Sequence, residues 1–232
     1  QHTILLLGPN GSGKDHLAKV IHNCSRRANN AFVSVNCGLL NSNLTETELF
    51  GHTPGAFTGA FKSKEGLVQV ADNGTLFINE VANMGPEVQA KFLQFVEERS
   101  FRMLGATREL KSKTRIIAAT NSNLEKAVAE GKFREDLYYR LRQIVYEVPP
   151  LRERVEDIPE LVAHFVEKEE SDLVFSDSAF EVLAKHSWPG NIRELHSLVI
   201  NMIFRYSDRR KRELPAQPSA RTGEGGRQDL SV

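Results

Sequence analysis

Residues 8–15 read GPNGSGKD, a glycine-rich turn that closes on a lysine. Gly8, Pro9, Asn10, Gly11, Ser12, Gly13, Lys14 and Asp15 are therefore candidates to grip a phosphate chain. Glycines let backbone amides turn toward phosphate oxygens, and a following helix points its positive end at the same place. Lys14 would supply a cation for the β and γ phosphates of a nucleotide. The full pattern ends in Ser or Thr, whose hydroxyl binds magnesium; Asp15 stands there instead. A tight turn with a surface lysine is the alternative reading, and four further constellations in order weigh against it.

The second constellation is GTLFINE at 74–80, an apolar run ending in polar residues. Ligands of open α/β sheets bind at the carboxyl ends of strands. Glu80 is placed to polarise an attacking water as a general base. Asn79 occupies the position where an Asp would hold magnesium, directly or through water. It is neutral and offers an oxygen without the charge. Asp15 and Asn79 are thus the candidate metal contacts. Third, Thr120-Asn121 closes the run at 115–119 and can sense a γ-phosphate or simply cap a strand. Fourth, FREDLYYRL at 133–141 carries Arg134 and Arg140 six apart. Arginines supplied across a subunit boundary stabilise charge on a transferring phosphoryl group; surface pairing with Glu135 or Asp136 is the alternative. Fifth, WPGNIREL at 188–195 sets Arg193 where it can close over a nucleotide.

These residues need a scaffold, and the apolar pattern describes one. Ile4–Leu7, Phe32–Val35, Thr75–Ile78, Arg115–Ala119 and Val145–Val148 read as strands. A helix after the glycine-rich turn would use Leu17, Val20, Ile21 and Cys24. A second, opened by Pro86, would bury Val88, Phe92, Phe95 and Val96. Strands alternating with helices predict an α/β fold: a mostly parallel sheet flanked by helices. Pro149-Pro150 breaks the pattern. Three short helices follow, with stripes Leu161, Val162, Phe165, Val166, then Phe180, Leu183, Ala184, capped by Ser176 or Asp177, then Ile192, Leu195, Leu198, Val199, Met202. They predict a small all-α lid. The expected division is 1–150 for the nucleotide core, 151–212 for the lid and 213–232 for a disordered tail, poor in anything to bury. Arg209-Arg210-Lys211-Arg212 reads as a solvated helix end.

Composition excludes several classes. Thirty basic residues balance 30 acidic ones across 232 residues, so no global field draws the chain to nucleic acid or membrane. Cys24 and Cys37 make no disulfide framework, and a reducing cytoplasm is the expected compartment. With His16 and His22 they fit no zinc spacing. No apolar run approaches the roughly 20 residues of a membrane helix, and no signal-peptide pattern is read in these residues. The abrupt start on Gln1 suggests a piece of something larger.

At these residues the chain closely resembles the central domain of bacterial sigma-54-dependent transcription activators, the NtrC-like enhancer-binding proteins of the AAA+ class. The most specific element is GAFTGA at 55–60, preceded by ELFGH at 48–52. The resemblance runs from the first strand to about residue 206. It implies a P-loop AAA+ core that binds ATP and Mg2+, hydrolyses ATP, and works as a ring, most simply a hexamer. It makes Gly55, Ala56, Phe57, Thr58, Gly59 and Ala60 the loop that engages the sigma-54 factor and so remodels its RNA polymerase. Phe57 and Thr58 would be the direct contacts. By the same resemblance Lys14 binds phosphate, Glu80 activates water and Thr120-Asn121 is the first sensor. Arg134 and Arg140 are trans-acting fingers, and Arg193 is the second sensor. Asn36, in VNCGLL, would hold Glu80 between turnovers. Asp15 becomes ordinary, since the family usually carries an acidic residue there.

Three features depart from that pattern. Asn79 replaces an Asp. Residues before the first strand that contribute to the adenine pocket are not in the sequence. Neither a helix-turn-helix nor a sensory domain flanks the core, so DNA contact would come through domains absent from this chain. A motor that remodels sigma-54 RNA polymerase is the leading expectation. A nucleotide-binding interaction module with impaired hydrolysis is the alternative, supported by Asn79. An independent DNA-binding regulator has little support, and GAFTGA disfavours an unrelated AAA+ remodeller.

Overall fold

The structure is a computed structural model that describes residues 2–213. Strand β1 (Ile4–Leu7) leads through the glycine-rich turn into α1 (Lys14–Asn23), and β2 (Phe32–Asn36) follows. Next come α2 (Ser42–Phe50), β3 (Gly51–His52), β4 (Lys64–Glu65), α3 (Leu67–Val70) and β5 (Thr75–Asn79). Then α4 (Pro86–Glu98), β6 (Ser100–Arg102), β7 (Glu109–Lys111) and β8 (Arg115–Thr120) complete the middle of the chain. The remaining elements are α5 (Leu124–Ala129), α6 (Glu135–Leu141), β9 (Ile144–Glu147), α7 (Ile158–Lys168), α8 (Asp177–Lys185) and α9 (Asn191–Glu213).

Five strands form one sheet in the order β2-β5-β8-β1-β9, and every pairing is parallel. Side chains alternate across a strand, so the apolar runs feed two cores at once. Leu5, Leu76, Ile78, Ile116 and Ala118 face one core with Val88, Phe92, Phe95 and Leu137. Ile4, Leu6, Phe77, Ile117 and Ala119 face the other with Ala18. The three central strands are almost wholly buried, whereas the edge strands β2 and β9 expose residues. This is why the edge sequences FVSVN and IVYE are the more polar ones. Strand β9 sits one residue earlier than the apolar pattern predicts.

Helix α1 corrects one expected stripe. Val20 and Cys24 are exposed, and the helix buries Ala18 and His22 with partial help from Leu17 and Ile21. His22 can turn inward because its Nδ1 meets the Thr75 hydroxyl at 2.9 Å. The α4 stripe is buried as its spacing predicts.

Two hairpins, β3–β4 and β6–β7, stand apart from the main sheet. Backbone bonds knit them together: Thr53 N donates to Leu104 O at 2.9 Å and Leu104 N to Gly51 O at 2.9 Å. From Leu151 onward a second core forms around Ile158, Val162, Leu183, Trp188, Leu195 and Val199. Ser176 caps α8 by accepting from Ala179 N. Ala184 and Met202, expected on buried faces, are exposed. Helix α9 is 23 residues long, not short, and carries the Arg209–Arg212 run within it. The tail expected to be disordered lies outside the described residues beyond Glu213.

Candidate functional site

Three loops converge at the carboxyl end of the sheet. The first leaves β1 as the glycine-rich turn. Gly11 and Gly13 hold φ of +74° and +99°, left-handed values that favour glycine. Lys14 is buried, and its Nζ donates to Gly8 O at 2.8 Å and Pro9 O at 3.1 Å. Burial pushes its pKa down, opposed by the charges of Glu80 and Asp15 and reinforced by Arg193. Lys14, Asp15, Glu80 and Arg193 therefore share one electrostatic neighbourhood. A cavity of about 570 Å³ opens beside Gly8, Pro9, Thr120 and Asn121.

The second loop leaves β5. Asn79 Nδ2 donates to Asp15 Oδ1 at 3.1 Å, while its Oδ1 accepts Glu80 N at 3.0 Å. The Glu80 amide can only donate, so the Asn79 oxygen must face it and the amide nitrogen must face Asp15. Asn79 thus ties the two acidic residues together. Glu80 itself sits at φ +54°, a conformation costly for a side-chain-bearing residue and frequent at functional sites. The bend carries its carboxylate to the third loop, where Oε2 lies 3.3 Å from Asn121 N and 3.5 Å from the Thr120 hydroxyl.

One expected contact is not made. Asn36 Oδ1 accepts from Gly38 N at 2.8 Å, capping its own turn, and Glu80 is held by Thr120 and Asn121 instead. The backbones of Asn36 and Asn79 are register partners, so the two side chains start from neighbouring strand ends.

The arginines divide. Arg193 rides on the first turn of α9 over the glycine-rich turn; a Cβ on Gly11 would come 3.2 Å from Arg193 Cβ. Arg134 and Arg140, on the other hand, face outward on α6. Arg134 forms a two-pronged pair with Asp136 at 3.0 and 2.7 Å, and Arg140 pairs with Glu97 of α4 at 2.8 Å.

The hexapeptide 55–60 tips the β3–β4 hairpin. Gly55 and Gly59, at φ +79° and +100°, have nothing within 4 Å of an added Cβ. The loop closes on itself through Gly55 N to Ala60 O at 2.8 Å. Phe57 is 45% exposed and rests its ring on His52; Thr58 is exposed. Ala60 is buried. Phe61, just beyond, is 90% exposed and is the barer ring of the two.

Residues 1–147 match the family model described as Sigma-54 interaction domain, and residues 152–226 match the AAA+ ATPase lid domain. The chain belongs to the sigma-54 interaction domain family. The Nif-specific regulatory protein of Azospirillum brasilense is 46% identical over 85% of this chain and 32% of that protein. The DNA-binding transcriptional regulator NtrC of Rhizobium meliloti is 40% identical over 88% of this chain and 43% of that protein. The chain thus spans less than half the length of these relatives. Among solved structures, NtrX from Brucella abortus in complex with ADP superposes with a TM-score of 0.80 at 38% identity, covering 88% of this chain and 45% of that one. Its complex with ATP gives 0.79 at 38% identity, covering 88% and 47%. The α/β core with its helical lid is an AAA+ fold.

Three residues of this sigma-54 interaction domain escape a reading of the sequence. Asn191, buried at φ +52°, donates from Nδ2 to Asn10 O at 2.9 Å and accepts Leu151 N at 2.8 Å. Arg154 donates from Nη2 to Ser12 O. Gln89, buried in α4, accepts Arg134 N at 2.9 Å and so sets the start of α6. The Pro-Gly-Asn turn before α9 was the available signal for Asn191, since Asn tolerates left-handed backbone. Arg154 and Gln89 carry no local signature.

Proposed function

We propose that this chain is an ATP-hydrolysing motor that acts on sigma-54 RNA polymerase through the loop 55–60, working as a ring of like subunits. The reading divides the chain into a nucleotide core at 1–150 and a lid at 151–212. Its main support is the meeting of Lys14, Asp15, Asn79, Glu80 and Thr120 at one end of the sheet.

The residues suit the chemistry. Amides of the glycine-rich turn and Lys14 hold the phosphate chain, and Arg193 covers it from the lid. Glu80 takes the proton of the attacking water while Thr120 and Asn121 hold its carboxylate in place. Asp15 supplies the anionic oxygen for a divalent cation, with Asn79 beside it. Magnesium, when bound, would neutralise charge on the β and γ phosphates. Arg134 and Arg140 face away from their own site and are free to serve a neighbour's. DNA would be reached through domains outside this chain.

The alternative is a nucleotide-binding module with weak turnover, and Asn79 is the observation that favours it. The test is steady-state phosphate release at high protein concentration by the wild type, Glu80→Gln and Asn79→Asp. We expect wild-type turnover, a fall of about 10²–10⁴-fold in Glu80→Gln, and a gain in Asn79→Asp at saturating Mg2+. An Asp at 79 would face Asp15, which also makes ATP affinity more dependent on Mg2+. Equal turnover by wild type and Asn79→Asp removes the impaired-module idea. No turnover in either removes the motor. Capture of sigma-54 in the presence of an ATP transition-state analogue, lost in Thr58→Ala, tests the loop.

A further inference from the structure

The carbonyls of the glycine-rich turn are all occupied, and two different parts of the molecule occupy them. Lys14 Nζ takes Gly8 O and Pro9 O, and Leu17 N of α1 takes Gly13 O. The three between belong to the lid side. Asn191 Nδ2 donates to Asn10 O at 2.9 Å, Ile192 N to Gly11 O at 3.0 Å, and Arg154 Nη2 to Ser12 O at 2.5 Å. The approach is close: a Cβ on Gly11 would stand 2.4 Å from Gly190 O.

In a trans peptide the carbonyl of one residue and the amide of the next point in opposite directions, and no peptide here is cis. Fixing the carbonyls of residues 10, 11 and 12 outward therefore fixes the amides of Gly11, Ser12 and Gly13 inward. Among the described residues, the amides of Gly11, Gly13 and Lys14 have no protein acceptor, while Ser12 N makes only a 3.3 Å bond to Pro9 O. The donors a phosphate chain needs are set by what holds the opposite side of the same peptides.

We propose that Asn191 is a positioning residue for phosphate recognition: with Arg154 and Ile192 N it makes the lid the template that pre-orients the amides of the glycine-rich turn. This rests on the reading of residues 8–15 as the phosphate site. The residue type fits the task. A carboxamide both donates and accepts, and Asn191 uses its oxygen on Leu151 N and its nitrogen on Asn10 O. Its backbone sits at φ +52°, which Asn tolerates better than most residues. An Asp keeps the acceptor and loses the donor.

The consequence runs both ways. A phosphate accepting from an amide polarises that peptide and strengthens the bond at its carbonyl. Lid docking and phosphate binding are then coupled, each tightening the other by the same factor. Arg193 reaches the nucleotide from a lid already locked to the loop.

The test uses the whole chain with tripolyphosphate and, separately, ADP as probes, each titrated by calorimetry, with the melting temperature of the unliganded protein alongside. In Asn191→Asp, tripolyphosphate affinity falls by more than about tenfold, from the lost buried hydrogen bond and the added negative charge together, and in Asn191→Gly, which suits the backbone and adds no charge, by about tenfold. ADP affinity falls in parallel. Arg154→Ala weakens both probes as well, and Arg154→Lys, which keeps a donor, recovers part of the loss. A purely structural role lowers the melting temperature but leaves the folded protein's affinity unchanged, and that result overturns the proposal. If Asn191→Asp does not fold, the Arg154 pair decides by the same measurement. Failure of the wild type to bind either probe overturns the phosphate reading of residues 8–15, and the proposal with it.

Discussion

Burial separates the two cysteines chemically, although their sequence surroundings do not. Cys37 lies in the core at the end of β2, and burial pushes its thiol up to about 12; Cys24 is exposed past the end of α1. The thiolate is the reactive form. A maleimide reagent at pH 7.5 should therefore modify one thiol per chain, at Cys24, and reach Cys37 only in denaturant; mass spectrometry of the intact protein counts the adducts. At the same scale, the meeting of Lys14, Glu80 and Thr120-Asn121 was legible because each lies at or just after a strand end of one parallel sheet. Asn191 was not, because its role depends on which distant group the fold delivers. Asn36 spends its oxygen on Gly38 two residues away, whereas Asn191 spans 181 residues to Asn10. Sequence spacing carries no information about such a pairing.

The elements follow the same division. The three central strands were visible as apolar runs because burial on both faces demands them, and the edge strands β2 and β9 showed as shorter, more polar runs. The hairpins β3–β4 and β6–β7 have strands of two or three residues, too short to show a period. The lid helices were visible by their stripes, and an aromatic residue outside those stripes joins the same core. Trp188, 2% exposed, donates its indole Nε1 to Leu183 O at 2.9 Å and sits at φ +49°. Trp188→Ala should cost about 3–5 kcal/mol of lid stability. Trp188→Phe, which keeps most of the volume but loses the indole hydrogen bond to a Leu183 carbonyl that still accepts from His186 N, should cost about 1 kcal/mol. Urea unfolding followed by far-ultraviolet circular dichroism measures both, since Trp188 is the sole tryptophan. On the far side of the core, Asp72 ties the end of α3 to the start of β8. The Lys113 amide and then the Ser112 hydroxyl hold its carboxyl below the usual carboxylate range, against the effect of burial. A depressed folded pKa contributes stability above the unfolded value of about 3.9, and the contribution disappears as pH falls through the lower folded value. Asp72→Asn should therefore be less stable than wild type at pH 7, by about 1 kcal/mol or less because the group is solvent-screened. As pH falls below the unfolded value and through the lower folded one the two should converge, as urea midpoints measured across that range and at pH 7 will show.

At the scale of the whole molecule, the proposed ring makes a demand on Arg134 and Arg140: each would have to serve a neighbouring subunit. Their guanidinium groups pair with Asp136 and Glu97 on the outer surface of α6 and α4, while the proposed phosphate site lies at the carboxyl ends of β1, β5 and β8. Exposed pairs of this kind contribute little and exchange readily for a stronger anion. If a neighbour's γ-phosphate is that anion, each active site is built from two chains, and two defective chains can repair one another. A Lys14→Ala subunit lacks its own phosphate grip but keeps both arginines. An Arg134→Ala subunit keeps its phosphate site but has no finger to lend. Each alone should hydrolyse ATP roughly 10³-fold more slowly or worse, the scale of a lost arginine finger. Mixed in equal amounts at concentrations that assemble rings, the Arg134→Ala sites that face a Lys14→Ala neighbour regain their arginine, and phosphate release should rise well above the sum of the two separate preparations. Arg140→Ala in place of Arg134→Ala asks the same of the second arginine. Dilution should abolish the recovery, because the repaired site exists only at a subunit boundary. A mixture no faster than the sum of its parts at any concentration would mean that each arginine serves its own chain, and the ring would then have no catalytic reason to form.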